Sequence, residues 1–173
     1  MVLSKNEILK AIKKGEIAVT PFTPSCVGPC SVDLHLGNDF KVFVSEKGTK
    51  EVKDAPDAIG LGAFKRVLLH ESETLSLKTG ELVLGITKER IRVSKRYCAT
   101  IDGRSRFARA GLLVHVSSSL IQPACDNVQV LEIANLSPFM LKLKPGLRVC
   151  QIVFHTLTSP AEYKGGFRLQ KRP

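Results

Sequence analysis

Apolar positions change their period once along the chain, and the change separates one helix from a long series of strands. At the start, Ile8, Leu9 and Ile12 form a helical stripe behind a Ser4-to-Glu7 capping box, and Gly15 ends the pattern. From Val32 the period is two. "SVDLHLG" sets Val32, Leu34 and Leu36 against Asp33 and His35, and "DFKVFV" continues in the same sense. The polar stretch from Glu46 to Leu61 reads as a long loop. Beyond it come "RVLLH", "TLSLKTGELVLGIT", "RIRV", "YCATIDG", "GLLVHVSSSLI", "NVQVLEIANLS", "FMLKLKPG" and "RVCQIVFHTL", separated by turn residues. Short strands at such intervals predict an all-β barrel or sandwich with a short N-terminal helix. No internal repeat is visible. Residues 158–173, basic and glycine-containing, are expected to form a mobile tail rather than a strand.

Length and composition narrow the classes. At 173 residues the chain fits one domain that buries its own core. It has no apolar run of the ~18 residues that span a bilayer, and its charged, amphipathic start lacks the apolar region of a signal peptide. A cytoplasmic protein without membrane contact is expected. Five cysteines, at 26, 30, 98, 125 and 150, are an odd and scattered set that suits free thiols; none has further ligands at zinc spacing. The net charge of +10 asks for an anionic partner. Nucleic acid fits poorly, because the basic residues are spread over the whole chain, there are only eight Phe and two Tyr, and Trp is absent. A polyphosphate ligand meets the same charge, with the remaining basic residues forming a solvated surface.

Two stretches carry candidate chemistry. "DGRSRFARAG", Asp102 to Gly111, crowds Arg104, Arg106 and Arg109 with Ser105 between glycines, as if the backbone must approach something closely. Ser105 is placed to cap a short helical turn whose free N–H groups would suit phosphate oxygens. The alternative is a basic turn exposed to solvent. In "NVQVLEIAN", Glu132 shares a strand face with Val128, Val130 and Ala134. A carboxylate there is costly to bury unless paired, so either the face is wet or Glu132 has a cationic partner. Several phosphate-handling and deaminating chemistries are excluded. The H-x-E and P-C-x-x-C of zinc deaminases are missing, Phe107 breaks a G-x-S-x-G elbow, and there is no P-loop lysine.

The blocks "GPCSVDLHLGNDF", "GRSRFARAGLLVHVSSSLIQP", "VLEIANLSP" and "PGLRVCQIVF" resemble the dCTP deaminase branch of the trimeric dUTPase superfamily, over nearly the whole chain. The resemblance implies a distorted, jelly-roll-like β-barrel of the dUTPase type, assembled as a homotrimer with active sites between subunits. It implies zinc-independent hydrolysis of dCTP to dUTP and ammonia, with Mg²⁺ carried on the nucleotide phosphates. By the same resemblance Glu132 is the general base, and Ser105 and Arg109 orient the water and the glutamate. Arg104 and the turn at Ser105 and Arg106, with Phe107 and Ala108 after it, make the triphosphate cradle. The strand edge of Val130, Leu131 and Glu132 faces base and sugar, His115 and Ser118 stand near the base amino group, and Gln151 lies on the phosphate side. Tyr163, Lys164 and Gln170 correspond to a shortened closing tail.

One block departs from the family pattern. "IQPACDN" has Gln122 where relatives carry an aspartate, and Ala124 and Asn127 where they carry glycines. In the dUTPase branch that aspartate holds the sugar and orients the hydrolytic water. A neutral amide cannot take a proton from water, so the substitution argues against a bifunctional deaminase–diphosphatase and against a plain dUTPase, with Asp126 as a displaced substitute. A nucleotide-binding homologue without turnover is the remaining alternative.

Overall fold

A computed structural model of the chain describes residues 1–44, 49, 51–52 and 63–173. The loop expected over Glu46 to Leu61 lies outside these, apart from positions 49, 51 and 52. The N-terminal helix α1 spans Lys5–Lys13. Ser4 occupies its N-cap, but the side chain makes no capping hydrogen bond, so the expected box does not form. The helix is held by its inner face instead. Ile8 and Ala11, one turn apart, are buried, while Leu9 from the predicted stripe is 37% exposed. Gly15 ends the helix at φ +71, a conformation that glycine adopts without a steric penalty.

Twelve strands follow among the described residues: β1 Ile17–Thr20, β2 Val32–His35, β3 Asp39–Phe43, β4 Phe64–Leu68, β5 Leu75–Leu77, β6 Leu82–Val93, β7 Tyr97–Gly103, β8 Leu112–Leu113, β9 Leu120–Ile121, β10 Asp126–Asn135, β11 Leu141–Leu143 and β12 Arg148–Thr156. They form antiparallel sheets: β4-β3-β6-β10-β8 with β1 also on β6, β2-β12-β7-β9, and the pair β11-β5. The inner faces of the two large sheets meet in one core. Phe40, Ile91, Leu131 and Ile133 come from the first sheet, and Leu34, Ile152 and Phe154 from the second. Each such side chain contributes ~1.5–3 kcal/mol on leaving water. The result is an all-β, distorted jelly-roll-like barrel whose described strands fall into separate sheets.

Two predicted stretches differ in the structure. "TLSLKTGELVLGIT" divides into β5 and the start of β6, and "RIRV" continues β6 as one long strand, whose alternation runs unbroken and turns polar Thr87 and Glu89 inward; the register slips opposite them, where Val130 pairs with Ile86 but Val128 with Arg90. "GLLVHVSSSLI" forms only β8 and β9, with irregular backbone between them. The final residues, expected to form a mobile tail rather than a strand, pack against the turn before β10 and its first residues. Tyr163 N donates to Pro123 O at 3.0 Å, Asn127 Nδ2 to Phe167 O at 2.7 Å, Arg168 Nε to Ala124 O at 3.0 Å and Val128 N to Gln170 O at 3.2 Å. Lys95 pairs with Glu162 at 2.6 Å and holds that carboxyl below its ordinary range. Among the described residues no helix is long and apolar enough to cross a membrane.

Candidate active site

Glu132 sits on β10 as the alternation predicts, with buried Leu131 and Ile133 on one face and half-buried Val130, Glu132 and Ala134 on the other. Leu131 therefore points into the core, and only its backbone is left to meet a ligand. The charge of Glu132 is met in a way neither sequence option named. Its Oε2 accepts the backbone N–H of Val116 at 3.0 Å and of Ser117 at 2.8 Å, with Ser118 N at 3.5 Å. These amides belong to the irregular stretch between β8 and β9. They turn to the carboxylate instead of joining a ladder, which explains why the predicted strand breaks there. Oε1 accepts no hydrogen bond among the described residues. Arg109, the expected cationic partner, makes no contact with Glu132 within the chain.

Beside Glu132 opens a cavity of about 770 Å³, within the range of small-molecule sites. It gathers six of the predicted residues: Glu132, Ser118, Gln122, Val130, Tyr163 and Gln170. It also recruits residues that sequence reasoning passed over. Leu84 of β6 stands opposite Glu132, Lys41 of β3 opposite Leu84, and Arg66 of β4 opposite Lys41, so one row crosses four adjacent strands. Both Lys41 and Arg66 line the cavity, and Arg66 is clamped to buried Asp39 by two bonds of 2.8 Å. Nothing local in "DFKVFV" or "FKRVL" marks them, because the row exists only through strand register. Buried Asn127 and Gln129 line the floor, joined by a bond of 2.5 Å from Gln129 Nε2 to Asn127 Oδ1. Cys125 lines the same cavity, with burial pushing its thiol up.

The arginine-rich turn lies elsewhere in the chain. Its helix α2, Ser105–Ala108, has Arg104 at the N-cap, so Ser105 is the first helical residue rather than the cap. With four residues it is too short for a helix-terminus anion site. Ser105, Arg106, Ala108 and Arg109 are exposed, and Phe107 packs against the core. The close approach announced by the flanking glycines is internal: at Gly111, φ +77, an added Cβ would lie 2.8 Å from Ser137 N. Arg104 points to the β2–β12–β7 sheet, where Gln151 pairs with Asp33 on one side and Asp102 on the other. Gln151 Oε1 accepts from Ser31 Oγ at 3.0 Å. His115 shares a small cavity with Asp102 and Ala108; its Nδ1 is buried with no hydrogen-bond partner among the described residues, and its Nε2 is 3.9 Å from Asp102. Lys164 is exposed and lies outside the Glu132 cavity. Within one chain the predicted residues thus fall mainly at two places, the carboxylate cavity and the arginine turn with Arg104 near Gln151, while Leu131 and Lys164 belong to neither.

Fold and site together define a jelly-roll-like β protein with a cavity of small-molecule size beside one fixed carboxylate. A family model described as dCTP deaminase-like matches residues 2–157. The dCTP deaminase of Thermomicrobium roseum is 34% identical over 163 residues, covering 93% of this chain and 82% of that one. The dUMP-forming dCTP deaminase of Methanopyrus kandleri is 37% identical over 166 residues, covering 93% and 84%. The crystal structure of 2′-deoxycytidine 5′-triphosphate deaminase from Agrobacterium tumefaciens superposes with a TM-score of 0.67 at 17% identity. This chain is covered to 90% and spans 47% of that longer one, a likeness of fold. The chain belongs to the dCTP deaminase-like family.

Proposed function

We propose that the protein hydrolyses dCTP to dUTP and ammonia without zinc, as a homotrimer whose active sites are completed between subunits. The observation that carries this reading is the carboxylate at the cavity wall, with Oε2 held by two backbone N–H groups and Oε1 without a hydrogen bond among the described residues. A general base must keep one oxygen aimed at the proton it removes, and this clamp leaves the other oxygen for that task. As water attacks C4 of cytosine, Oε1 takes one of its protons and delivers it to N3. The new C4 hydroxyl then gives its proton to Oε1, which passes it to the amino nitrogen. Ammonia leaves as the C4 carbonyl of uracil forms, so the carboxylate is regenerated.

Separation of the arginine turn from Glu132 within one chain supports a shared site. In a homotrimer the exposed turn bearing Ser105 and Arg109 would enter the cavity of an adjoining copy, where Arg109 would meet the carboxylate and Ser105 the water. Arg104 and Gln151 would serve the phosphates. Mg²⁺ would be carried on the nucleotide phosphates, where it offsets their charge. Gln122 lines the cavity where the family pattern places an acid. Its amide can bond a sugar hydroxyl but cannot activate a second water, so the reaction ends at dUTP. Incubation with dCTP and Mg²⁺, followed by separation of products, tests this. Equal amounts of dUTP and ammonia are expected; dUMP would show a bifunctional enzyme, and unchanged dCTP would refute the activity.

A further inference from the structure

We propose that Arg148 is a second guanidinium of the phosphate cradle, held beside Arg104 by the carboxylate of Asp33. The inference rests on the deaminase reading in that it takes the anion to be the triphosphate of a nucleotide. Arg104 follows β7 and Arg148 opens β12, yet both reach one oxygen: Asp33 Oδ2 is 3.1 Å from Arg104 Nη2 and 3.6 Å from Arg148 Nη1. A second tie fixes the pair, because Arg104 Nη1 donates to the carbonyl of Arg148 at 2.9 Å. The two arginines differ in what remains to them. Arg104 is 19% exposed and uses both terminal nitrogens, whereas Arg148 is 46% exposed. Beyond the Asp33 contact, the Arg148 side chain makes no hydrogen bond among the described residues.

The surroundings suit an anion at this point. Gln151 lies directly across from Asp33, which puts the phosphate-side glutamine beside the pair. Two other acids are close; one is engaged in hydrogen bonds and the other lies half exposed near an imidazole. Glu89 accepts from His35 N at 2.9 Å and meets His35 Nδ1 at 2.5 Å, while Asp102 faces His115. Arg148 therefore offers a planar fork of unused donors, the geometry that binds a phosphate by two bonds at once. Asp33 acts as a positioning residue. Two guanidiniums repel each other unless a charge of opposite sign stands between them, and holding them together in the free protein lowers the ordering cost of binding.

The test is calorimetric titration of the protein with inorganic tripolyphosphate, alongside dCTP kinetics at several ionic strengths. For Arg148→Gln, the tripolyphosphate Kd and the KM for dCTP should rise roughly tenfold with kcat within about twofold, and the dependence of KM on ionic strength should flatten. Arg148→Lys keeps the charge but not the fork, so about a threefold loss is expected. Asp33→Asn separates positioning from simple charge. Removing a negative group should tighten phosphate binding by Coulomb's law alone, whereas loss of positioning weakens it, and weakening is expected. Affinity within about twofold of wild type in both Arg148 variants, or tighter binding in Asp33→Asn, overturns the proposal. If Arg148→Gln does not fold, Arg148→Lys decides. Wild-type protein that releases no ammonia from dCTP overturns the deaminase reading alone, and the tripolyphosphate titration still decides the role of Arg148.

Discussion

Replacing Glu132 by glutamine separates proton transfer from everything else the side chain does. The amide is isosteric, and its oxygen can accept the same N–H groups of Val116 and Ser117 that now lie at 3.0 and 2.8 Å. Two bonds to a charged acceptor become two bonds to a neutral one, a change of about 0.5–1 kcal/mol each. The fold should therefore lose about 1–2 kcal/mol, which at this chain length lowers Tm by roughly 3–6 °C. The chemical step should lose far more. A positioned general base is worth about 10²–10⁴ in rate, or ~2.7–5.5 kcal/mol of barrier. The assay is ammonia release at saturating dCTP, paired with calorimetric dCTP binding. kcat should fall at least a hundredfold, with affinity within about threefold of wild type. Ammonia release above about a tenth of the wild-type rate would refute the assignment of the base. A loss of dCTP affinity as large as the loss of kcat would show that Glu132 holds substrate rather than moves protons.

Four further outcomes are expected. Gln122→Asp should add pyrophosphate and dUMP to the products of dCTP, detected by chromatography; dUTP as the sole nucleotide product would show that the acid alone does not confer diphosphatase activity. Asn135 is fully buried and bonds Leu77 O, Phe139 O, Ser137 N and Ser137 Oγ, so Asn135→Ala should cost about 2–4 kcal/mol in urea unfolding by stranding several polar groups at once. Ala124 has φ +62 without being glycine; relieving that strain with Ala124→Gly should offset the extra freedom of the unfolded chain and raise Tm by about 1–3 °C in calorimetry. Glu162 has its carboxyl held below the ordinary value of 4.5 by Lys95, so its contribution to docking the final segment is present above that value and lost as pH falls through the lowered one. Limited proteolysis near Tyr163 should accelerate below about pH 4 in wild type, and Glu162→Gln should show the faster cleavage already at neutral pH.

Much of the candidate site was legible because the chemistry is local to short blocks. Period-two alternation assigned Glu132 to the same face as Val130, and the structure keeps that face. Ala124 was visible as a residue standing where the family pattern has glycine, and its left-handed backbone shows the geometric demand behind that pattern. Other readings failed for equally physical reasons. Ser4 and Glu7 have the spacing of a capping box, but Glu7 Oε1 lies 3.6 Å from Lys10 Nζ instead, and the helix start is tied by Lys5 N donating to Pro29 O at 2.7 Å, a partner that no window of sixteen residues contains. Ser105 was displaced from the cap by its neighbour, because β7 runs on through Gly103 and leaves Arg104 as the last extended residue.

By itself the sequence determined the all-β class, which residues of each strand share a face, and the family blocks that single out Glu132, Ser105 and Arg109. Alternation says which side of a strand a residue takes, but not which strand lies beside it. Only the tertiary structure decided that the Glu132 charge is met by the amides of Val116 and Ser117, that Lys41 and Arg66 extend its row, and that Arg104 shares Asp33 with Arg148. Those neighbours come together through register and loop closure, whose energies are summed over the whole chain and leave no mark in any short stretch of it.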